Sequence, residues 1–202
     1  MKNSNASKTL HFGNGQIKVL YIAGPTRSGS TILSNILGQI SGFFHAGEVI
    51  EAWDRGRLWK CSCGQLPQEC PVWSEIFMTL DAAFDAHDRA AIIRKRDRLS
   101  RSHKVILNHY LGLDHSSGNQ QESKYFQSLA KLYAVIKTQT QADVIIDSSK
   151  NAGYAHSLLN VSNIDLHVVH LVRDSRATAF SWSKKKQELW KANPLRTSME
   201  WS

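Results

Sequence analysis

Between two apolar stretches, Ile17-Lys18-Val19-Leu20-Tyr21-Ile22-Ala23 and Ile32-Leu33-Ser34-Asn35-Ile36-Leu37, lies Gly24-Pro25-Thr26-Arg27-Ser28-Gly29-Ser30-Thr31. The first stretch has strand length and the second reads as a helix start, so the eight residues form a glycine-bearing strand-to-helix turn. In that setting backbone N–H groups converge on one spot, and the unpaired amides of the helix N-terminus add partial positive charge there. The spacing follows G-x-x-x-x-G-K-[ST] except at one position, where Ser30 replaces the lysine that acts on the β- and γ-phosphates of a nucleoside triphosphate. The loop instead carries a permanently charged, planar cation, Arg27. An anion cradle is expected, and an ATP or GTP hydrolase is not. An ordinary βα turn of small residues is the plain alternative.

The rest of the chain repeats the strand–helix alternation. A helix is expected at 29–40, ended by Ser41-Gly42, and Phe43-Phe44-His45 is long enough for a short second strand. Residues 52–71 read as irregular, with helical patterning from Val72 to Phe84. From Asp88 to Tyr110 a basic amphipathic helix is expected, broken near Ser100-Ser102. A polar loop at 114–121 leads to a helix from Glu122 to Thr140. Asp143-Val144-Ile145-Ile146-Asp147 reads as a buried parallel strand, followed by a helix at 152–160. A strand at 166–172 comes next, then a helix at 176–190 capped by Asp174 or Ser175. Crossovers long enough for helices imply a three-layer α/β/α sandwich with a mainly parallel sheet, similar to the P-loop NTPase architecture. The polar residues 1–15 read as a tail and 16–202 as one domain.

Charge and cysteine usage narrow the partners. A formal net charge of +8 suits an anionic ligand but does not choose among nucleic acid, acidic lipid and an anionic cofactor. No aromatic platform accompanies the basic stretch at 89–104, so nucleic acid is not the expected partner. The N-terminus lacks an apolar signal segment, and no run is long enough to span a bilayer. The three cysteines, Cys61, Cys63 and Cys70, lie within ten residues of one another, which is not a disulfide framework. A reducing cytoplasm is the expected location. For these cysteines, loop packing or a redox-labile pair is the default, and a zinc site with His45 as a fourth ligand is the alternative.

In a parallel α/β fold, ligands bind beyond the carboxyl ends of the strands. Arg27 follows the first strand, Asp147-Ser148-Ser149-Lys150 follows the strand at 143–147, and Arg173-Asp174-Ser175-Arg176 follows the strand at 166–172. Ser181 lies eight residues after Arg173, about two helical turns on, so a guanidinium and a hydroxyl can meet on one phosphate. Three basic clusters on one edge suggest a ligand with more than one phosphate-like group.

These motifs resemble those of the sulfotransferases that use 3′-phosphoadenosine 5′-phosphosulfate (PAPS), over about residues 17–190 and closest to the carbohydrate and tyrosylprotein branches. The resemblance implies that Arg27, Ser28, Gly29, Ser30 and Thr31 bind the 5′-phosphosulfate, and that Arg173 and Ser181 bind the 3′-phosphate. It also implies that Glu48, in the pair Gly47-Glu48, takes the proton of the acceptor hydroxyl, with His45 as the rival base. Lys150 matches a lysine set against the transferred group. PAPS is then the co-substrate, no metal is required for the transfer, and the acceptor is a hydroxyl of a carbohydrate, a tyrosine or another alcohol. Relatives extend well beyond the point at which this chain ends, so a C-terminally incomplete domain with reduced activity is expected. Two rivals stay open: a kinase or NTPase with Val144-Ile145-Ile146-Asp147 as its Walker-B-like strand, and a non-catalytic nucleotide-binding module.

Overall fold

A computed structural model describes residues 16–54, 61, 63–101 and 120–185. The expected tail at 1–15, the continuation of the basic helix past 101, the loop at 114–119 and the end beyond 185 lie outside the described residues.

Four strands, β1 (Ile17–Ala23), β2 (Phe43–Gly47), β3 (Val144–Lys150) and β4 (Ile164–His170), pair in parallel in the order β2-β3-β1-β4. The helices are α1 (Ser30–Leu37), α2 (Pro71–Ala83), α3 (Ala86–Leu99), α4 (Gln120–Thr140), α5 (Ala152–Leu159) and α6 (Ser175–Lys185). A 3₁₀ turn, Val49–Asp54, follows β2. From β1 to β2 the chain crosses β3, and from β3 to β4 it crosses β1 in the opposite direction. Right-handed crossovers therefore place α1 on one face and α5 on the other. The step from β2 to β3 runs the same way as that from β3 to β4, so α2, α3 and α4 share the face of α5. Contacts of α1 with β2 and β3, and of α5 with α3 and α4, agree with this. The result is a three-layer α/β/α arrangement.

Strand alternation divides the core between the two faces. Ile17, Val19 and Tyr21 of β1 join Ile145 and Ile164 under the thicker helical layer, packed with Trp73, Ile76, Leu129, Leu132 and Tyr133. Ile22 and Ile146, also fully buried, point to the opposite face. Each such aliphatic side chain contributes roughly 1.5–3 kcal/mol when removed from water. Beyond β1 the sheet is less covered: Val168 and Val169 of β4 are exposed, as are Val172 and Phe180 after it.

Several boundaries differ from the sequence expectation. Helix α1 ends at Leu37, where the Gly38 N–H bonds the carbonyls of Ser34 and Ile36, rather than running to 40. Strand β3 continues to Lys150, so Ser148, Ser149 and Lys150 belong to the strand instead of following it. Strand β4 stops at His170, leaving Arg173 on the connection to α6. On α3 the basic residues do not all face solvent. Arg96 is buried, pairs with Asp54 and with Asp97 (2.7 Å), and donates to the Ile50 carbonyl at 2.9 Å. It thereby ties α3 to the 3₁₀ turn that follows Glu48.

The sheet's carboxyl edge is held together at Gly24. Its N–H reaches the Lys150 carbonyl at 3.3 Å, while the Leu171 N–H bonds the Ala23 carbonyl at 2.8 Å. Gly24 has φ 141°, and a Cβ there would lie 2.4 Å from the Leu171 oxygen. Gly24→Ala is therefore expected to cost at least the ~1–3 kcal/mol of a strained backbone conformation, with the Leu171 carbonyl displaced as well. Urea denaturation checks this, and an unchanged midpoint would contradict the close packing at this turn.

Candidate functional site

The loop after β1 joins the strand to the N-terminus of α1. Arg27 and Gly29 have positive φ (66° and 101°), and Gly29 is the N-cap of α1. Left-handed residues within such a turn direct successive N–H groups into one concavity. The Leu33 N–H closes the first helical turn on the Gly29 carbonyl at 3.0 Å, so the amides just before it have no helical partner. Inside the loop the Ser28 hydroxyl is buried with no hydrogen-bond partner. Ser30 is buried and Thr31 exposed, the Thr31 carbonyl accepting from the Ser34 hydroxyl at 3.1 Å.

The last strand's connection meets this loop directly. Arg173 Nη1 donates to the Arg27 carbonyl at 3.0 Å, and Arg27 Nε donates to the Ser181 hydroxyl at 3.1 Å. The sequence spacing suggested that Arg173 and Ser181 share a phosphate; in the structure both contact Arg27, one at its carbonyl and one at its guanidinium. Asp174, the ordinary candidate partner for Arg173, is taken by Arg176 instead. It accepts from the Arg176 N–H at 2.8 Å and guanidinium at 2.7 Å, as an N-cap of α6. These bonds hold the Asp174 carboxyl below the usual carboxylate range. Among the described residues no carboxylate pairs with Arg27 or Arg173. Arg173 and Arg27 thus meet at the loop that opens α1.

The second half of the site lies where β2 and β3 end. Lys150 Nζ contacts Glu48 Oε1 at 2.5 Å and donates to the Ser148 carbonyl at 2.9 Å. Both strands are irregular at this point. The β3–β1 register gains a residue between Asp147 and Lys150, and the β2–β3 register gains one between His45 and Gly47. Bulges re-aim the side chains that follow them. Lys150 also adopts φ 67°, a conformation that costs a non-glycine residue free energy. The ion pair is partly exposed, so its net stabilisation is small.

Behind the pair lies a set of positioning residues that sequence reasoning did not single out for this purpose. Asp147, fully buried, accepts from the Ser149 N–H at 2.9 Å, from the Ser149 and Tyr133 hydroxyls, and at 3.4 Å from the Val49 N–H. The Ser149 hydroxyl in turn accepts from the Ile50 N–H at 3.0 Å. Together these bonds fix the start of the 3₁₀ turn, and so the backbone just after Glu48. The available signal was a carboxylate closing an apolar strand, since a buried charge demands donors. His45, the rival base, sits in β2 with Nδ1 enclosed and unpartnered, and burial lowers its pKa.

Asp147 also carries a pH prediction. Burial pushes its pKa up to about 6, against the pull of its hydrogen bonds. Between the unfolded value near 3.8 and about 6, the folded chain holds a proton that the unfolded chain has lost. Stability from this group therefore falls as pH rises through that window and is level above it, a span of roughly 3 kcal/mol. Asp147→Asn removes this contribution. Denaturation at pH 4.5 and 7 should show a shallower fall with rising pH for the variant than for the parent chain, and equal slopes would contradict the assignment.

Comparison with protein-family models, curated proteins and solved structures gives no match for this chain. Among the described residues, no helix is long and apolar enough to cross a membrane.

Proposed function

We propose that this chain is a PAPS-dependent sulfotransferase acting on an acceptor hydroxyl. The observation that carries the reading is the meeting of Arg27, Arg173 and Ser181 beside the loop at 24–31, with no carboxylate pairing either guanidinium among the described residues. A nucleotide with phosphate groups at both the 3′ and 5′ positions supplies two anions for this arrangement. In the reading, the loop amides, Arg27 and the Ser28, Ser30 and Thr31 hydroxyls hold the 5′-phosphosulfate. Arg173 and Ser181 turn from Arg27 to the 3′-phosphate.

In-line transfer requires the acceptor oxygen to lose its proton as the sulfur–oxygen bond to the 5′-phosphate breaks and charge builds on that phosphate. Glu48 accepts the proton. In the reading, Lys150, which contacts Glu48, compensates charge on the transferred group once substrate separates the pair. Fixed cations perform the stabilisation that a kinase assigns to magnesium.

The kinase reading has less support. Its Walker-B-like residue, Asp147, is enclosed under the helical layer and bonded to Tyr133, Ser149 and Val49, rather than presented at the sheet's edge. Incubation of the chain with PAPS and a mixed panel of phenols, simple alcohols and sugars tests the proposal. Acceptor-dependent release of 3′,5′-ADP without magnesium supports it. Magnesium-dependent hydrolysis of ATP with no turnover of PAPS would replace it with the kinase or NTPase reading.

A further inference from the structure

The three cysteines take no part in the site above, yet the fold gathers them. Their sulfurs lie within 4.8 Å of one another, with Cys61 and Cys70 Sγ 3.4 Å apart, and none of the three is in a disulfide. Tetrahedral zinc thiolate sites, with Zn–S near 2.3 Å, hold their sulfurs about 3.8 Å apart, within the same range.

The surrounding backbone holds Cys61 and Cys63 on one tight turn. The turn Cys61–Gln65 is closed by the Gly64 N–H on the Cys61 carbonyl at 2.8 Å and by the Cys61 N–H on the Gln65 carbonyl at 3.0 Å. Gly64 has φ 85°, a conformation a glycine adopts freely. The third sulfur belongs to Cys70, the N-cap of the 13-residue helix α2, where the helix end favours negative charge. Cys61 and Cys70 are buried against the apolar core and Cys63 is exposed. Three sulfurs facing one another, one of them on the N-cap of a helix, match the donor set of a soft cation.

We infer that Cys61, Cys63 and Cys70 form a three-thiolate site for a soft divalent cation of the zinc type, with the fourth position left to water or an exogenous ligand. The site clamps the turn at 61–65 onto the start of α2, and binding releases the thiol protons to solvent without any redox change. It is independent of the nucleotide reading.

The test uses the full chain, reduced, stripped with a chelator, and titrated with Zn²⁺ against a chromophoric competitor, with Co²⁺ as a spectroscopic probe. One equivalent should bind at submicromolar Kd with release of protons, and Co²⁺ should show a thiolate charge-transfer band. Cys63→Ser, at an exposed position that leaves the core intact, should weaken binding at least a hundredfold without moving the melting temperature of the metal-free chain. Absence of saturable one-equivalent uptake would overturn the site. So would uptake unchanged in Cys63→Ser, or a Cys61–Cys70 disulfide that re-forms in air in the presence of excess zinc.

Discussion

Arg173→Ala is expected to weaken binding of 3′,5′-ADP by roughly ten- to a hundredfold and binding of 5′-AMP far less. A hydrogen-bonded contact to a charged group is worth roughly 1.5–3 kcal/mol, and only the first nucleotide offers the 3′-phosphate. The comparison separates two roles that the geometry alone combines. Arg173 also donates to the Arg27 carbonyl, so a residue that merely braced the loop would weaken both nucleotides alike. Ser181→Ala should show the same selectivity with a smaller loss, since it removes a neutral donor. Arg173→Lys should recover only part of the affinity, because a point charge replaces a planar fork. Calorimetric titration of the two nucleotides checks all three variants, and equal losses for both would sink the 3′-phosphate assignment.

Glu48→Gln is expected to leave PAPS affinity within a few-fold and to lower turnover by about a hundredfold or more, the usual effect of losing a general base. The amide keeps the size and one acceptor oxygen of the carboxylate but cannot take a proton. His45→Ala is the companion variant, since His45 is a short distance along the chain with an unpartnered ring nitrogen. The account expects His45→Ala to retain most of the turnover. If it abolishes turnover while Glu48→Gln keeps it, the base is His45 and the Glu48–Lys150 contact is structural. Single-turnover rates measured beside equilibrium PAPS binding distinguish these outcomes.

What the sequence revealed, and what it hid, follows the range of the interactions. The strand at Ile17–Ala23 and the loop after it were legible because an apolar run, two glycines and a helix start are local signals. The parallel sheet was legible because strands alternated with segments long enough to cross over. The end of β3 was not. Ser148, Ser149 and Lys150 look like loop residues, yet the strand continues through them, with Ser149 accepting from the Ile50 N–H and Lys150 paired with Glu48 from the segment after β2. The burial of Arg96 was hidden in the same way, since its partner Asp54 lies on a different element. Arg27, Arg173 and Ser181 could be nominated one by one from the sequence. That Arg173 would grip the Arg27 backbone depended on the folded arrangement, whereas the turn of Asp174 to Arg176 is a local helix cap.

The central claim, that the edge of the sheet is built for a nucleotide with both 3′- and 5′-phosphate groups, is tested most directly by thermal stability. Melting curves of the chain would be recorded with PAPS, 3′,5′-ADP, ATP and 5′-AMP at equal concentration, with and without magnesium. A ligand that binds only the native state raises stability by about 2.7 kcal/mol when present at a hundred times its dissociation constant. Clear upward shifts are expected with PAPS and 3′,5′-ADP, smaller shifts with ATP and 5′-AMP, and no dependence on magnesium. A shift with magnesium-ATP equal to or larger than that with 3′,5′-ADP, or no shift with any of the four, would contradict it.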